Sequence, residues 1–235
     1  MPSPIGAEIM AGLDLDYVCI DMQHGLIGYS DSLALLASLT SRSVTPVIRV
    51  PWNTPDHIGK ALDAGAMGVI IPMVNSEAEC RAAVEAASYP PLGRRSYGPS
   101  RAAIVEGPDY FAEAEITIIP MIETAAALAD LDAILAVEGV SAVYIGPADL
   151  AISMGFAPGS EDPAFLQALD RIVAGCNAHG VVPGIHATTA SATDRLNRGF
   201  RMVTVTTDLV ALRTRLTEDV TTVRDRMVGE TTSSY

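Results

Sequence analysis

Residues 14–28 read DLDYVCIDMQHGLIG. The apolar centre, Tyr17-Val18-Cys19-Ile20, has the length and composition of a strand buried on both faces. The run ends in Asp21, His24 follows three residues later, and Gly25 and Gly28 let the chain turn away. A strand apolar on both faces belongs in a parallel sheet covered by helices. A carboxylate and an imidazole at its C-terminal end stand where an α/β barrel keeps its chemistry.

Further strands repeat the design. Residues 45–50 (TPVIRV) carry Arg49 at their end, and 68–72 (GVIIP) form a third run. Residues 117–122 (TIIPMI) lead to Glu123, and 142–145 (AVYI) lead to Gly146-Pro147-Ala148-Asp149. Residues 181–185 lead to His186, and 202–206 are the seventh strand. Helical patterns lie between them: 30–39 capped by Ser30, 55–64 opened by Pro55, 76–88 capped by Ser76, and 108–114. Further helices are expected at 124–135, after Gly146, at 163–179, 190–198 and 209–228. A helix within residues 2–13 precedes the first strand, and the polar tail 229–235 is expected to fray.

This alternation predicts an α/β fold of TIM (β/α)8-barrel type in a single domain, 1–235. Such a barrel needs eight strands, so the first strand is expected to be missing from this chain. A doubly wound open sheet is disfavoured, because no G-x-G-x-x-G turn follows the first strand. Residues 89–101 (YPPLGRRSYGPSR) form a long Pro-, Gly- and Arg-rich loop of the kind that carries function.

Composition narrows the partners. The chain has 235 residues, 49% of them hydrophobic, and a net charge of −13. Nucleic acid would be repelled by that charge, and no basic cluster marks a membrane surface. No apolar run reaches the ~18 residues of a membrane span. Cys19, Cys80 and Cys176 are odd in number and widely spaced, which predicts reduced thiols in a cytoplasmic protein.

The strand ends collect Asp21, His24, Arg49, Glu123 and Asp149 at one barrel face. Charged groups are costly in a core unless paired or metal-bound, so their gathering points to one polar site. Glu123 and Asp149 suit a hard divalent ion such as Mg2+, Mn2+ or Co2+, with waters completing its shell. Such an ion, as a Lewis acid, stabilises the enolate of a 2-oxo acid. Arg49 can hold the same oxygens, or be a structural ion pair with Asp21 or Glu123. His24, oriented by Asp21, suits a general base. Backbone N–H groups from Gly146 to Asp149 can receive a carboxylate. His186 reads as a pocket wall or as a support behind the contacting residues, and Trp52 as pocket wall or core filler.

The segments DYVCIDMQHG, PVIRVPWNTPDHIGKALDAGAMGVIIPMV, YPPLGRRSYGPSRA, IPMIETAAAL and VEGVSAVYIGPADLAISMG closely resemble the HpcH/HpaI aldolase family. The resemblance implies a (β/α)8 barrel and a metal-dependent aldolase. Such enzymes cleave 4-hydroxy-2-oxo acids to pyruvate, or a related 2-oxo acid, and an aldehyde. It also implies a hexamer built as a trimer of dimers, with helix 209–228 packed on a neighbouring subunit. It places the base at His24, its support at Asp21, the enolate-steadying arginine at Arg49 and the metal carboxylates at Glu123 and Asp149. The carboxylate-binding amides fall around Gly146, Ala148 and Asp149, since Pro147 has no N–H. Two positions depart from the family pattern: Gln23 stands where Glu is usual, and Met121 where Gln is frequent. The rival chemistries are an acyl-CoA carbon–carbon lyase, needing Arg94, Arg95 and Arg101 as a phosphate groove, and a non-catalytic acid-binding barrel.

Overall fold

The computed structural model describes residues 1–40, 43–107 and 109–232. Seven strands form one parallel sheet in sequence order. They are β1 (Tyr17–Asp21), β2 (Thr45–Arg49), β3 (Gly68–Ile71), β4 (Thr117–Ile122), β5 (Ala142–Ile145), β6 (Val182–His186) and β7 (Met202–Thr204). Helices return the chain between them, among them Tyr29–Leu39, Pro55–Asp63, Glu77–Ala87, Pro163–His179 and Ala192–Arg198. Consecutive parallel neighbours joined by helical crossovers curl the sheet into an α/β half-barrel.

Side chains alternate between two cores, as the period of two requires. Val47, Ile70, Ile119, Met121, Ala142 and Tyr144 fill the inside of the curl. Ile48, Val69, Ile71 and Ile122 point outward into the larger core shared with the helices. β1 and β7 are the sheet's edges among the described residues. Interior hydroxyls bridge them: Tyr17 and Thr204 lie 2.7 Å apart, and the Tyr144 hydroxyl donates to Thr204 Oγ1 at 2.5 Å.

Several expected boundaries shift. The helix expected at 124–135 is two short ones, Ala125–Ala129 and Leu131–Leu135, broken at Asp130. The Asp130 carboxylate accepts the Glu77 N–H at 2.7 Å, and this contact accompanies the break. Ser30 lies inside its helix, because Gly28 is the cap and the Asp31 side chain takes the Gly28 N–H. The long loop ends earlier than expected, in an additional helix, Ser100–Glu106. The helix expected at 108–114 is Tyr110–Glu113, and Pro108 lies outside the described residues.

The final helix runs Asp208–Thr232, so residues 229–232 are helical, and 233–235 lie outside the described residues. Every side chain from Leu209 to Arg226 is exposed, including Leu209, Leu216 and Val223. No helix among the described residues is long and apolar enough to cross a membrane.

Candidate active site

Strand register assembles the site. Asp21 sits opposite Arg49 across β1 and β2. Ile122 pairs with Ile145, so Glu123 and Gly146 emerge side by side. Ile145 pairs with Ile185, which brings His186 next to Gly146, and His186 pairs with Thr204. These residues form the upper layer of the curl, at the C-terminal ends of β1, β2, β4, β5, β6 and β7.

Arg49 holds Asp21 through two hydrogen bonds, Nε to Oδ1 at 2.8 Å and Nη2 to Oδ2 at 2.5 Å. Asp21 Oδ1 also accepts the backbone N–H groups of Gln23 and His24, at 3.0 and 3.2 Å. Burial pushes the Asp21 carboxyl up, but the guanidinium and these N–H groups outweigh it and hold it below the usual range. Asp21 therefore holds the His24 backbone, with no hydrogen bond to its ring among the described residues. Its carboxylate is already occupied by Arg49. The His24 imidazole is exposed and makes no hydrogen bond among the described residues. The loop turns back so tightly that a Cβ on Gly25 would overlap the Asp21 carbonyl oxygen.

Glu123 is only 2% exposed. Its Oε1 accepts the Met73 N–H at 2.7 Å. Its Oε2 lies against Gly146, where a Cβ would come within 2.6 Å. Burial raises its carboxyl; the Met73 bond opposes this, the Asp149 charge adds to it, and Arg49 and His24 pull it down. Asp149 is exposed in the first turn of helix Pro147–Ser153, for which Gly146 is the N-cap. The N–H groups of Ala148 and Asp149 lie in that first turn, where no intrahelical acceptor exists.

His186 faces the same mouth. Burial pushes its imidazole down, the Arg49 charge adds to this, and Asp21 opposes it. The strand-end pattern placed it at the rim; only register shows it beside Gly146. Trp52 is 51% exposed on the loop after β2, so it is not core filler. Met73 and Asn75, which hold Glu123 and its neighbour, carry no sequence signal of that role.

The chemistry of the donor set fits a hard divalent cation. A buried carboxylate that feels the charge of a second, exposed carboxylate is a costly arrangement that a cation relieves. Among the described residues no three His, Cys, Asp or Glu side chains gather as a metal cage. Two carboxylates with water suit magnesium or manganese better than zinc.

The three arginines needed for a CoA groove all have partners within the protein, although Arg94 is exposed. Arg95 pairs with Asp63 at 2.6 Å and is almost fully buried. Arg94 pairs with Glu85 at 2.8 Å, and Arg101 donates to the Ala64 carbonyl and the Thr40 hydroxyl, both at 2.7 Å.

Known proteins resemble this chain in sequence and fold. The family model for HpcH/HpaI aldolase/citrate lyase matches residues 2–214. The chain is 39% identical over 217 residues to a hydroxypyruvate/pyruvate aldolase of Rhizorhabdus wittichii, covering 90% of this chain and 86% of that protein. It is 37% identical over 212 residues to a 4-hydroxy-2-oxo-heptane-1,7-dioate aldolase of Salmonella arizonae, covering 88% of this chain and 81% of that protein. The crystal structure of an HpcH/HpaI aldolase/citrate lyase family protein from Burkholderia cenocepacia superposes with a TM-score of 0.90 at 30% identity, covering 95% of this chain and 91% of that one. With its parallel half-barrel and its strand-end carboxylates in register, the chain belongs to the HpcH/HpaI aldolase/citrate lyase family.

Proposed function

We propose that this carbon–carbon lyase reversibly cleaves a 4-hydroxy-2-oxo acid to pyruvate, or a related 2-oxo acid, and an aldehyde. The observation that carries the reading is the buried Glu123, one oxygen tied to Met73 and the other set beside Gly146 and the loop of Asp149. Glu123 and Asp149 would hold a divalent cation, Mg2+, Mn2+ or Co2+. When bound, that cation supplies Lewis acidity that polarises the 2-oxo group.

The chain's own groups do the rest. The first-turn N–H groups of Ala148 and Asp149 receive the substrate carboxylate. Arg49, braced by Asp21, presents a fixed guanidinium to the developing enolate oxygen. His24 stands at the rim and takes the C4 hydroxyl proton as the carbon–carbon bond breaks. In the reverse direction it returns that proton to the new alkoxide. Trp52 walls the aldehyde side of the mouth.

A closed (β/α)8 barrel would seat one more strand between β7 and β1, the two edges bridged by Tyr17 and Thr204. The exposed leucines and valines of the last helix support a homo-oligomer in which that helix covers a neighbouring subunit; a hexamer suits it. A cytoplasmic enzyme with reduced thiols accords with three cysteines that form no disulfide.

The test is direct. The protein is incubated with pyruvate or hydroxypyruvate, an aldehyde, and Mn2+, Mg2+ or Co2+, with EDTA as control, and adducts are read by mass spectrometry. A cation-dependent aldol adduct is expected. No adduct with any donor would leave a non-catalytic acid-binding barrel.

A further inference from the structure

Met73 is the one non-glycine residue with positive φ among the described residues, at +57°. L side chains rarely adopt that conformation, and it persists only where surrounding contacts impose it. The residue follows β3 directly and donates its N–H to Glu123 Oε1 at 2.7 Å. Its carbonyl accepts Asn75 Nδ2 at 2.8 Å. Asn75 Oδ1 accepts the Thr124 hydroxyl at 2.5 Å, and Thr124 is covalently joined to Glu123. The four residues thus close a ring: Glu123 to Met73, Met73 to Asn75, Asn75 to Thr124, and back along the chain.

The ring joins two strand exits. One side is the turn after β3; the other is the end of β4, where Thr124 also caps the following helix through the Ala127 N–H. Asn75 is in turn anchored, since its own N–H donates to Glu79 Oε2 at 2.6 Å. A relaxed Met73 with negative φ would swing its N–H away from Glu123. The carboxylate would then lose its only hydrogen bond among the described residues.

We propose that Met73 and Asn75 are positioning residues for the cation site, with the left-handed turn at Met73 held by the Asn75 amide so that Glu123 offers only Oε2. The proposal rests on the reading of Glu123 and Asp149 as the cation pair. The backbone strain is the local cost of a fixed carboxylate, and such outer partners commonly change metal affinity by about 10–100-fold.

The test is direct Mn2+ binding to the full chain, read from the electron paramagnetic resonance signal of free Mn2+, beside melting curves without metal. Asn75→Ala is expected to weaken Mn2+ binding about tenfold or more. Met73→Gly is expected to bind within about twofold of wild type, because glycine holds positive φ freely. Added to Asn75→Ala, it recovers part of the loss. Met73→Val keeps Asn75 but resists positive φ, so its affinity falls about tenfold, which serves if Asn75→Ala does not fold.

Wild-type affinity in Asn75→Ala or Met73→Val, with only the melting temperature lowered, overturns the proposal and leaves a plain structural turn. No Mn2+ binding by the wild type overturns the cation reading together with it, so the two failures are distinct.

Discussion

Arg49 and Asp21 face each other in register across β1 and β2 and share two hydrogen bonds, at 2.8 and 2.5 Å. The guanidinium is thereby fixed before any substrate arrives. Both side chains are mostly shielded, 21% and 30% exposed, which makes the pair stronger than a surface ion pair.

This pair sets an acid limit. The folded Asp21 carboxyl lies below its ordinary value, so its contribution is complete above the ordinary range and disappears as pH falls through the depressed value. Wild-type stability to urea is expected to drop from about pH 4 downward. Asp21→Asn should be less stable at pH 7 and show a smaller acid slope. Equal slopes in the two proteins would show that Asp21 is not the group responsible.

His24→Ala should lower kcat for aldol cleavage by about 10²–10⁴-fold. Mn2+ affinity should be unchanged, because the ring touches no proposed ligand. Steady-state kinetics beside a metal titration checks both halves, and retained kcat refutes the base assignment.

Gly146→Ala places a Cβ within 2.6 Å of Glu123 Oε2. The carboxylate must move, and Mn2+ binding is expected to weaken about 10–100-fold. Calorimetric titration reads this directly; unaltered affinity would mean that Oε2 does not face the cation.

Thr204→Val removes the hydroxyl that meets both Tyr17 and Tyr144. Buried phenols left without a partner cost about 1–3 kcal/mol. Urea unfolding should show that loss with the slope unchanged. A neutral result would mean that the two tyrosines satisfy each other.

Burial pushes all three thiols, Cys19, Cys80 and Cys176, up to about 12. Native protein should react slowly with a thiol reagent at pH 8, and three thiols should appear on unfolding. Fast labelling of the folded protein would contradict the packing around Cys19, which lies beneath Asp21 and Arg49.

Much of this was legible in the sequence. Apolar runs ending in Asp21, Arg49 and Glu123 are local signals, because a parallel strand buried on both faces needs a continuous apolar stretch. Proline and glycine punctuation placed most helices within a few residues. The break at Asp130 was not legible, since Asp130 meets the Glu77 N–H from another helix. Long-range hydrogen bonds leave no periodic trace.

The sequence by itself determined the strand–helix alternation, the family, and which polar residues stand at strand ends. Tertiary structure alone decided how those residues use their atoms. Register gave the Asp21 carboxylate to Arg49 and not to the His24 ring. At the β3 exit Met73 takes φ +57° and gives its N–H to Glu123, fifty residues further along the chain. A side chain's type is fixed in the sequence, but its hydrogen-bond partner depends on which distant backbone arrives within 3 Å.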